Sequence, residues 1–298
     1  MMSAEVRARP VESEPDQVPA GCASPAVVAG ASNGLDPVAR AFYIRMLEEL
    51  RGSGVPFLLG GAYAFARYTG IERHTKDIDV FVRPADADRL LAVLGGAGCA
   101  IELTHPHWLG KAHCGGDFVD VIYSSGNGVA RVDDDWFAHA VPDHVLDVPV
   151  LLIPPEEMLW SKAFVMERER FDGADVAHLL RATAEDLNWR RLLDRFDENW
   201  RVLLVHLTLF GFVYPGERHR VPARALRELT ERLDAELDAP DADATLFRGT
   251  LISREQYLPD VQRWGYRDAR LREEGGAMSG RQVAAWTAAI ARDGSGSA

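Results

Sequence analysis

Phe57-Leu58-Leu59-Gly60-Gly61-Ala62, Asp77-Ile78-Asp79-Val80 and Val119-Asp120-Val121 are the stretches that decide how this chain folds. The first is an apolar run closed by a glycine pair, the pattern of a buried strand turning into a helix. A turn without side chains at a helix start lets backbone N–H groups approach an anion, and the helix dipole favours negative charge there. Taken alone, a glycine pair marks a plain turn. In the second stretch Asp77 and Asp79 sit two apart on a predicted strand, so their carboxylates share one face while Ile78 enters the core. Two like charges side by side are unfavourable without a cation, and oxygen ligands suit Mg²⁺ or Mn²⁺ rather than zinc. The blander alternative is a solvated strand edge. The apolar flanks Ile78, Val80, Phe81 and Val82 favour the metal site. Asp120 lies mid-strand in Phe118–Tyr123, where a buried carboxylate is costly without a partner. A strand beside Asp77-Ile78-Asp79 would supply that partner. Asp117 is the runner-up, but its odd offset from Asp120 puts it on the opposite face.

Outward from these stretches, Asp36-Pro37 reads as a cap and first turn, with Val38, Phe42, Met46 and Leu50 at helical spacing up to Gly52–Gly54. Helices are predicted over Ala62–Thr69 and Pro84–Leu94, and strands over Val55–Leu59, Asp77–Val82, Ala100–Thr104, Phe118–Tyr123 and Val148–Ile153. From Glu156 the pattern is helical: Glu156–Glu169, Asp172–Ala182, Leu187–Arg195, Glu198–Phe212, Pro222–Leu237 and, after an irregular stretch over Phe247–Arg272, Arg281–Ala291. The expected organisation is a disordered leader over 1–34, an α/β domain over 35–153, and a helical C-terminal domain with its tail over 154–298. The closing Asp293–Ser297 reads as a solvated terminus.

The 298 residues are 47% apolar and 26% charged, the balance of a folded chain. Lys and Arg total 33 against 45 Asp and Glu, a formal charge of −12, which lacks the field of a general nucleic-acid binder. Three cysteines, Cys22, Cys99 and Cys114, are too few for a disulfide framework and contain no CxxC pair. With no apolar run of the ~20 residues a spanning helix needs and no signal-peptide core, a cytoplasmic location is expected.

The three stretches together resemble the polymerase-β-like nucleotidyltransferase superfamily, whose pattern is an apolar strand, Gly-Gly or Gly-Ser, a helix, Asp-x-Asp between apolar residues, and a distant third carboxylate. The spacing from Gly61 to Asp77 is similar to that of lincosamide and aminoglycoside nucleotidyltransferases and abortive-infection-type toxins. Arg73 and Thr75 resemble the Arg-x-Thr ahead of the Asp pair in those groups. The chain departs from the pattern at Gly61, where many members carry Ser. The resemblance, over roughly Val55 to Arg181, implies an α+β fold: a polymerase-β-like core, a mixed sheet with flanking helices, followed by a helical C-terminal domain. It implies Mg²⁺- or Mn²⁺-dependent transfer of an NMP from an NTP to an acceptor hydroxyl, with release of pyrophosphate. Asp77, Asp79 and Asp120 would hold two metals, and Gly60, Gly61, Arg73, Thr75 and Lys162 would contact the nucleotide. The acceptor is expected to be a small molecule; the alternatives are a toxin-type enzyme acting on tRNA or protein, or a non-catalytic nucleotide-binding module.

Lys162, followed by Arg170, Asp172 and Asp175, is similar to the helix Lys and Arg-x-Asp-x-x-Asp run of the same enzymes. Lys162 is read as a phosphate contact ahead of a solvated charge. For Arg170, Asp172 and Asp175, a functional role and simple ion pairing stand level. His105, His107, His113 and Cys114 match no closed zinc pattern and read as a histidine-bearing loop, with an acceptor-pocket lining as the alternative. His178 reads as a satisfied core histidine, Asp133–Asp135 as a helix cap before Trp136, and Trp264–Arg267 as tail packing.

Overall fold

The computed structural model describes residues 36–73, 75–237 and 243–293. The expected leader over 1–34, Cys22 and most of the Asp293–Ser297 terminus lie outside the described residues. Helix α1 (Pro37–Gly52) opens where the Asp36 carboxylate accepts from the Ala39 N–H at 3.4 Å, and it buries Phe42, Tyr43, Met46, Leu47 and Leu50. Strand β1 (Leu58–Leu59) runs through the glycine pair into α2 (Gly61–Thr69), then β2 (Asp77–Phe81) and α3 (Ala87–Gly96). Strands β3 (Ala100–His105), β4 (Leu109–Cys114) and β5 (Asp117–Ile122) form an antiparallel meander, followed by α4 (Asp134–Ala138) and the hairpin β6 (Val141–Val145) and β7 (Val148–Leu152).

All seven strands join one mixed sheet in the order β3-β4-β5-β2-β1-β7-β6, with β2–β5 and β1–β7 parallel. Ile78, Val80, Val119, Val121 and Ala112 fill one face, each at most 1% exposed, under α1 and α3. The opposed residues Asp79, Asp120, Lys111 and Glu102 cross the other face in a single row over β2, β5, β4 and β3. A second row of Asp77, Phe118 and His113 runs beside it.

Helices α5 (Pro155–Ala163), α6 (Gly173–Thr183), α7 (Trp189–Phe196), α8 (Trp200–Val213) and α9 (Ala223–Leu237) follow. The tail holds β8 (Leu246–Phe247), α10 (Gly249–Ile252), α11 (Leu258–Arg263), β9 (Arg267–Asp268) and α12 (Gly280–Asp293). A buried ion cluster ties α5 to α7: Arg191 bonds Glu156 at 3.1 Å and also Glu157, while Arg195 bonds Glu157 at 2.9 Å and Asp133 at 2.7 Å. Among the described residues no helix is long and apolar enough to cross a membrane.

The structure corrects several expectations. The helix expected over Glu156–Glu169 ends at Ala163, because Met166–Phe171 doubles back and the tail captures it: Met166 N–H donates to the Ile252 carbonyl at 3.0 Å and Arg254 N–H to Glu167 at 2.9 Å. Tertiary bonding there overrides the helical preference of the run Glu167–Arg170. The supposed histidine loop is mostly strand, with His105 closing β3 and His113 and Cys114 in β4. Strand β6 was not expected, since its turn uses Leu146 and Asp147 at φ 53° and 70° where glycine or asparagine is the usual marker. Cys99, just ahead of β3, and Cys114, closing β4, lie 4.8 Å apart between Cα atoms and form a single disulfide. The Phe247–Arg272 stretch contains short elements, and Trp264 is 68% exposed instead of packing the tail; Tyr266 does pack, with its ring 5.4 Å from Phe247. His178 is half-buried with its Nδ1 unpartnered, so it is not a satisfied core histidine; His206 is buried with Nε2 bonded to the Ala163 carbonyl at 2.9 Å and its Nδ1 likewise without a partner.

Candidate active site

The parallel pairing of β2 with β5 sets Asp79 directly opposite Asp120, and Asp77 lies two residues along on the same face. Oxygens of Asp77, Asp79 and Asp120 all fall within 4.8 Å of one another. Opposed residues in neighbouring strands necessarily share a face, so the triad is a direct product of register. Asp117 points the other way, toward α1, where the Tyr43 hydroxyl reaches it at 3.5 Å.

Burial, with the charges of Asp77 and Asp120 added, pushes the Asp79 carboxyl up from 3.8 to about 7. Burial also raises Asp120, against the hydrogen bonds and charge of Lys111. Lys111 Nζ donates to both oxygens of Asp120, at 2.7 and 2.9 Å. Carboxylates this close hold protons they would ordinarily lose unless a cation joins them. The all-oxygen donor set fits a hard divalent cation.

The glycine pair is required by contact. Gly61 has φ +55°, and a Cβ there would lie 1.6 Å from Asp79 Oδ2 and 2.8 Å from Asp79 Cβ. A serine at this position has no room, which accounts for the departure from the Gly-Ser pattern. A Cβ on Gly60 would meet Phe81 at 2.3 Å, and the Gly60 N–H donates to the Asp79 carbonyl at 2.9 Å. The glycines thus seat the first turn of α2 on the Asp79 side chain.

The remaining expected nucleotide contacts fall into two groups. Thr75 Oγ1 donates to the Asp77 carboxylate and orients it. Lys162 Nζ donates to Asp175 at 2.7 Å and Asp172 at 3.1 Å. Arg73 reaches the same Asp175, at 2.9 Å from one guanidinium nitrogen, and lies 4.4 Å over the Phe65 ring. Arg170 bonds Asp172 at 3.0 Å. Burial opposes ionisation of Asp172 and Asp175, but bonds from Arg170 to the one and from Arg73 to the other, with Lys162 on both, hold each below the usual carboxylate range. This polar cluster locks α2, α5 and α6 together.

A cleft of about 620 Å³ opens over the triad, lined by Gly61, Asp77, Asp79, Asp120, Lys162 and Asp172 among others. Lys111 and the tail were missed from sequence. Lys111 left a legible sign in the alternation of Lys111, Ala112 and His113. By contrast, nothing in the sequence points the tail residues Thr250, Arg254, Glu255 and Trp286 at the cleft they help line. The histidines, whose alternative reading was an acceptor-pocket lining, are not among the residues lining the cleft: His105 stacks on Trp108 at 5.5 Å and meets Trp286 edge-on at 4.7 Å, while Trp108 itself lines the cleft.

Similar solved structures include the antibiotic-resistance factor ANT(2'')-Ia in solution, at 15% identity and TM-score 0.35 over 68% of this chain and 95% of that one. The lincosamide antibiotic adenylyltransferase LnuA with lincomycin bound gives 17% and 0.35 over 49% and 98%. JHP933 from Helicobacter pylori gives 12% and 0.36 over 69% and 100%. At such identities and scores these likenesses assign no residue a role. No curated protein matches the chain. A family described as uncharacterised nucleotidyltransferase matches residues 38–209. That match takes in the glycine turn, all three aspartates and more than half of the 298 residues, and the chain therefore belongs to this family of nucleotidyltransferases.

Proposed function

We propose that the protein transfers a nucleoside monophosphate from an NTP to a hydroxyl of a small-molecule acceptor, with Mg²⁺ or Mn²⁺ bound at the aspartates, releasing pyrophosphate. The observation that carries this reading is the triad: three carboxylates within 4.8 Å, one of them held partly protonated near neutrality by burial and by its neighbours' charges. A bound divalent cation would neutralise the triphosphate and polarise the phosphorus under attack. Asp77 and Asp79 would hold it, with Thr75 fixing the Asp77 carboxylate. Gly61 and the start of α2 offer backbone N–H groups to the phosphates, while Gly60, expected as a further contact, has its N–H held by the Asp79 carbonyl and shapes the turn instead. Lys162, on the cleft wall, adds a point charge for the triphosphate at the expense of its bonds to Asp172 and Asp175, and Arg73 orients Asp175 behind it. Asp120, made more basic by burial, accepts the proton of the attacking hydroxyl. A cleft of about 620 Å³ suits a nucleotide with a small acceptor, and the acidic net charge disfavours a nucleic-acid acceptor. Calorimetric NTP titration with and without Mg²⁺ tests the reading. Metal-dependent binding lost in Asp77→Ala/Asp79→Ala is expected; failure of every NTP to bind would refute it.

A further inference from the structure

We propose that this site takes one divalent cation rather than two, because the Lys111 ammonium stands where the second would bind. The inference rests on the metal-dependent reading above. A second cation ~3.5–4 Å from the first would have to draw on Asp120, the one carboxylate of the triad left once Asp77 and Asp79 hold the first. Both Asp120 oxygens are instead engaged by Lys111 Nζ, at 2.7 and 2.9 Å.

The pairing is built into the sheet. Lys111 and Asp120 are directly opposed in the β4–β5 ladder, with side chains only 22% and 12% exposed. The ammonium also lies 4.3 Å over the Phe118 ring, which comes from the row beside it. For Lys111 to leave Asp120 within the protein, it would need another carboxylate. The nearest in register is Glu102 across β3–β4, and that carboxylate already pairs with His113 at 3.1 Å. Lys162 is engaged by Asp172 and Asp175, so among the described residues Lys111 is the cation bonded to the triad. With all three carboxylates ionised, the one ammonium leaves two negative charges, which one divalent ion balances. Asp120 then meets the acceptor hydroxyl beside an N–H donor that fixes the oxygen's approach.

Mn²⁺ electron paramagnetic resonance of the full chain with a non-hydrolysable NTP analogue decides the matter. The wild type is expected to show a mononuclear spectrum and one Mn²⁺ per chain. Lys111→Met should show a spin-coupled pair and two per chain, and Lys111→Arg should remain mononuclear. A coupled pair in the wild type would overturn the inference and leave the nucleotidyltransfer reading intact, as would a mononuclear spectrum in a folded Lys111→Met. Absence of any protein-bound Mn²⁺ would instead overturn the metal-dependent reading. If Lys111→Met fails to fold by circular dichroism, the wild-type and Lys111→Arg spectra still decide.

Discussion

Adding one carbon at Gly61 should damage both the fold and the site. In Gly61→Ala the new Cβ would lie 1.6 Å from Asp79 Oδ2, 2.5 Å from its Cγ and 2.8 Å from its Cβ. Rotating the Asp79 side chain relieves the first two contacts but leaves the third, since Cβ does not move with χ1. The backbones of α2 and β2 must therefore part. Overpacking of this kind costs about 1–3 kcal/mol, and φ +55° adds roughly 1–2 kcal/mol for a residue with a side chain, giving ~2–5 kcal/mol. Because Asp79 itself moves, turnover should fall on the order of 100-fold, the usual consequence of a displacement near 1 Å. Gly52→Ala is the internal control: it ends α1 with nothing within 4 Å of the added carbon, and should raise stability by about 0.5–1 kcal/mol. Denaturant unfolding and Mg²⁺-dependent NTP binding, measured on both variants, check this. A Gly61→Ala protein with wild-type stability and nucleotide affinity would refute the packing argument.

The metal-free protein should lose stability as pH rises. Asp79 has a pKa of 3.8 ordinarily and about 7 when folded, so the folded chain keeps a proton that the unfolded chain has released. The penalty therefore grows from about pH 4 to about pH 7 and is constant above. Asp79→Asn should flatten much of this trend in thermal melts with EDTA, leaving the smaller part that raised Asp120 contributes, with a gain of a few kcal/mol at most above pH 7. Glu157→Ala should cost about 1.5–3 kcal/mol in urea unfolding, because it removes the buried carboxylate that bridges Arg191 and Arg195, each of which keeps one other partner, Glu156 or Asp133. Lys162→Ala should weaken NTP binding by roughly 10-fold by calorimetry, the loss of one charged contact. Reduction of Cys99–Cys114, which are 15 residues apart, should lower stability by up to ~3 kcal/mol, read as a shift of the thermal midpoint with dithiothreitol.

The sequence by itself determined the local pieces of the chemistry. Alternation placed Asp77 and Asp79 on one face, the glycine pair marked the turn into α2, and Asp133 announced the cap of α4, where it accepts from Asp135 N–H at 3.0 Å. These are short-range features, set by side-chain period and backbone freedom within a few residues. What only the tertiary structure decided was who stands beside whom. The β2–β5 register brings Asp120 to Asp79, and the β4–β5 register brings Lys111 to Asp120. The doubling-back at Met166–Phe171 draws in the tail, whose Trp286 closes on Gly126 and Trp108. Apart from Asp120, whose buried carboxylate already demanded a partner strand, these pairings join segments whose own sequences carry no sign of the partner. They are fixed by strand order and packing, where the free energy of burying a whole sheet outweighs the preference of any single stretch.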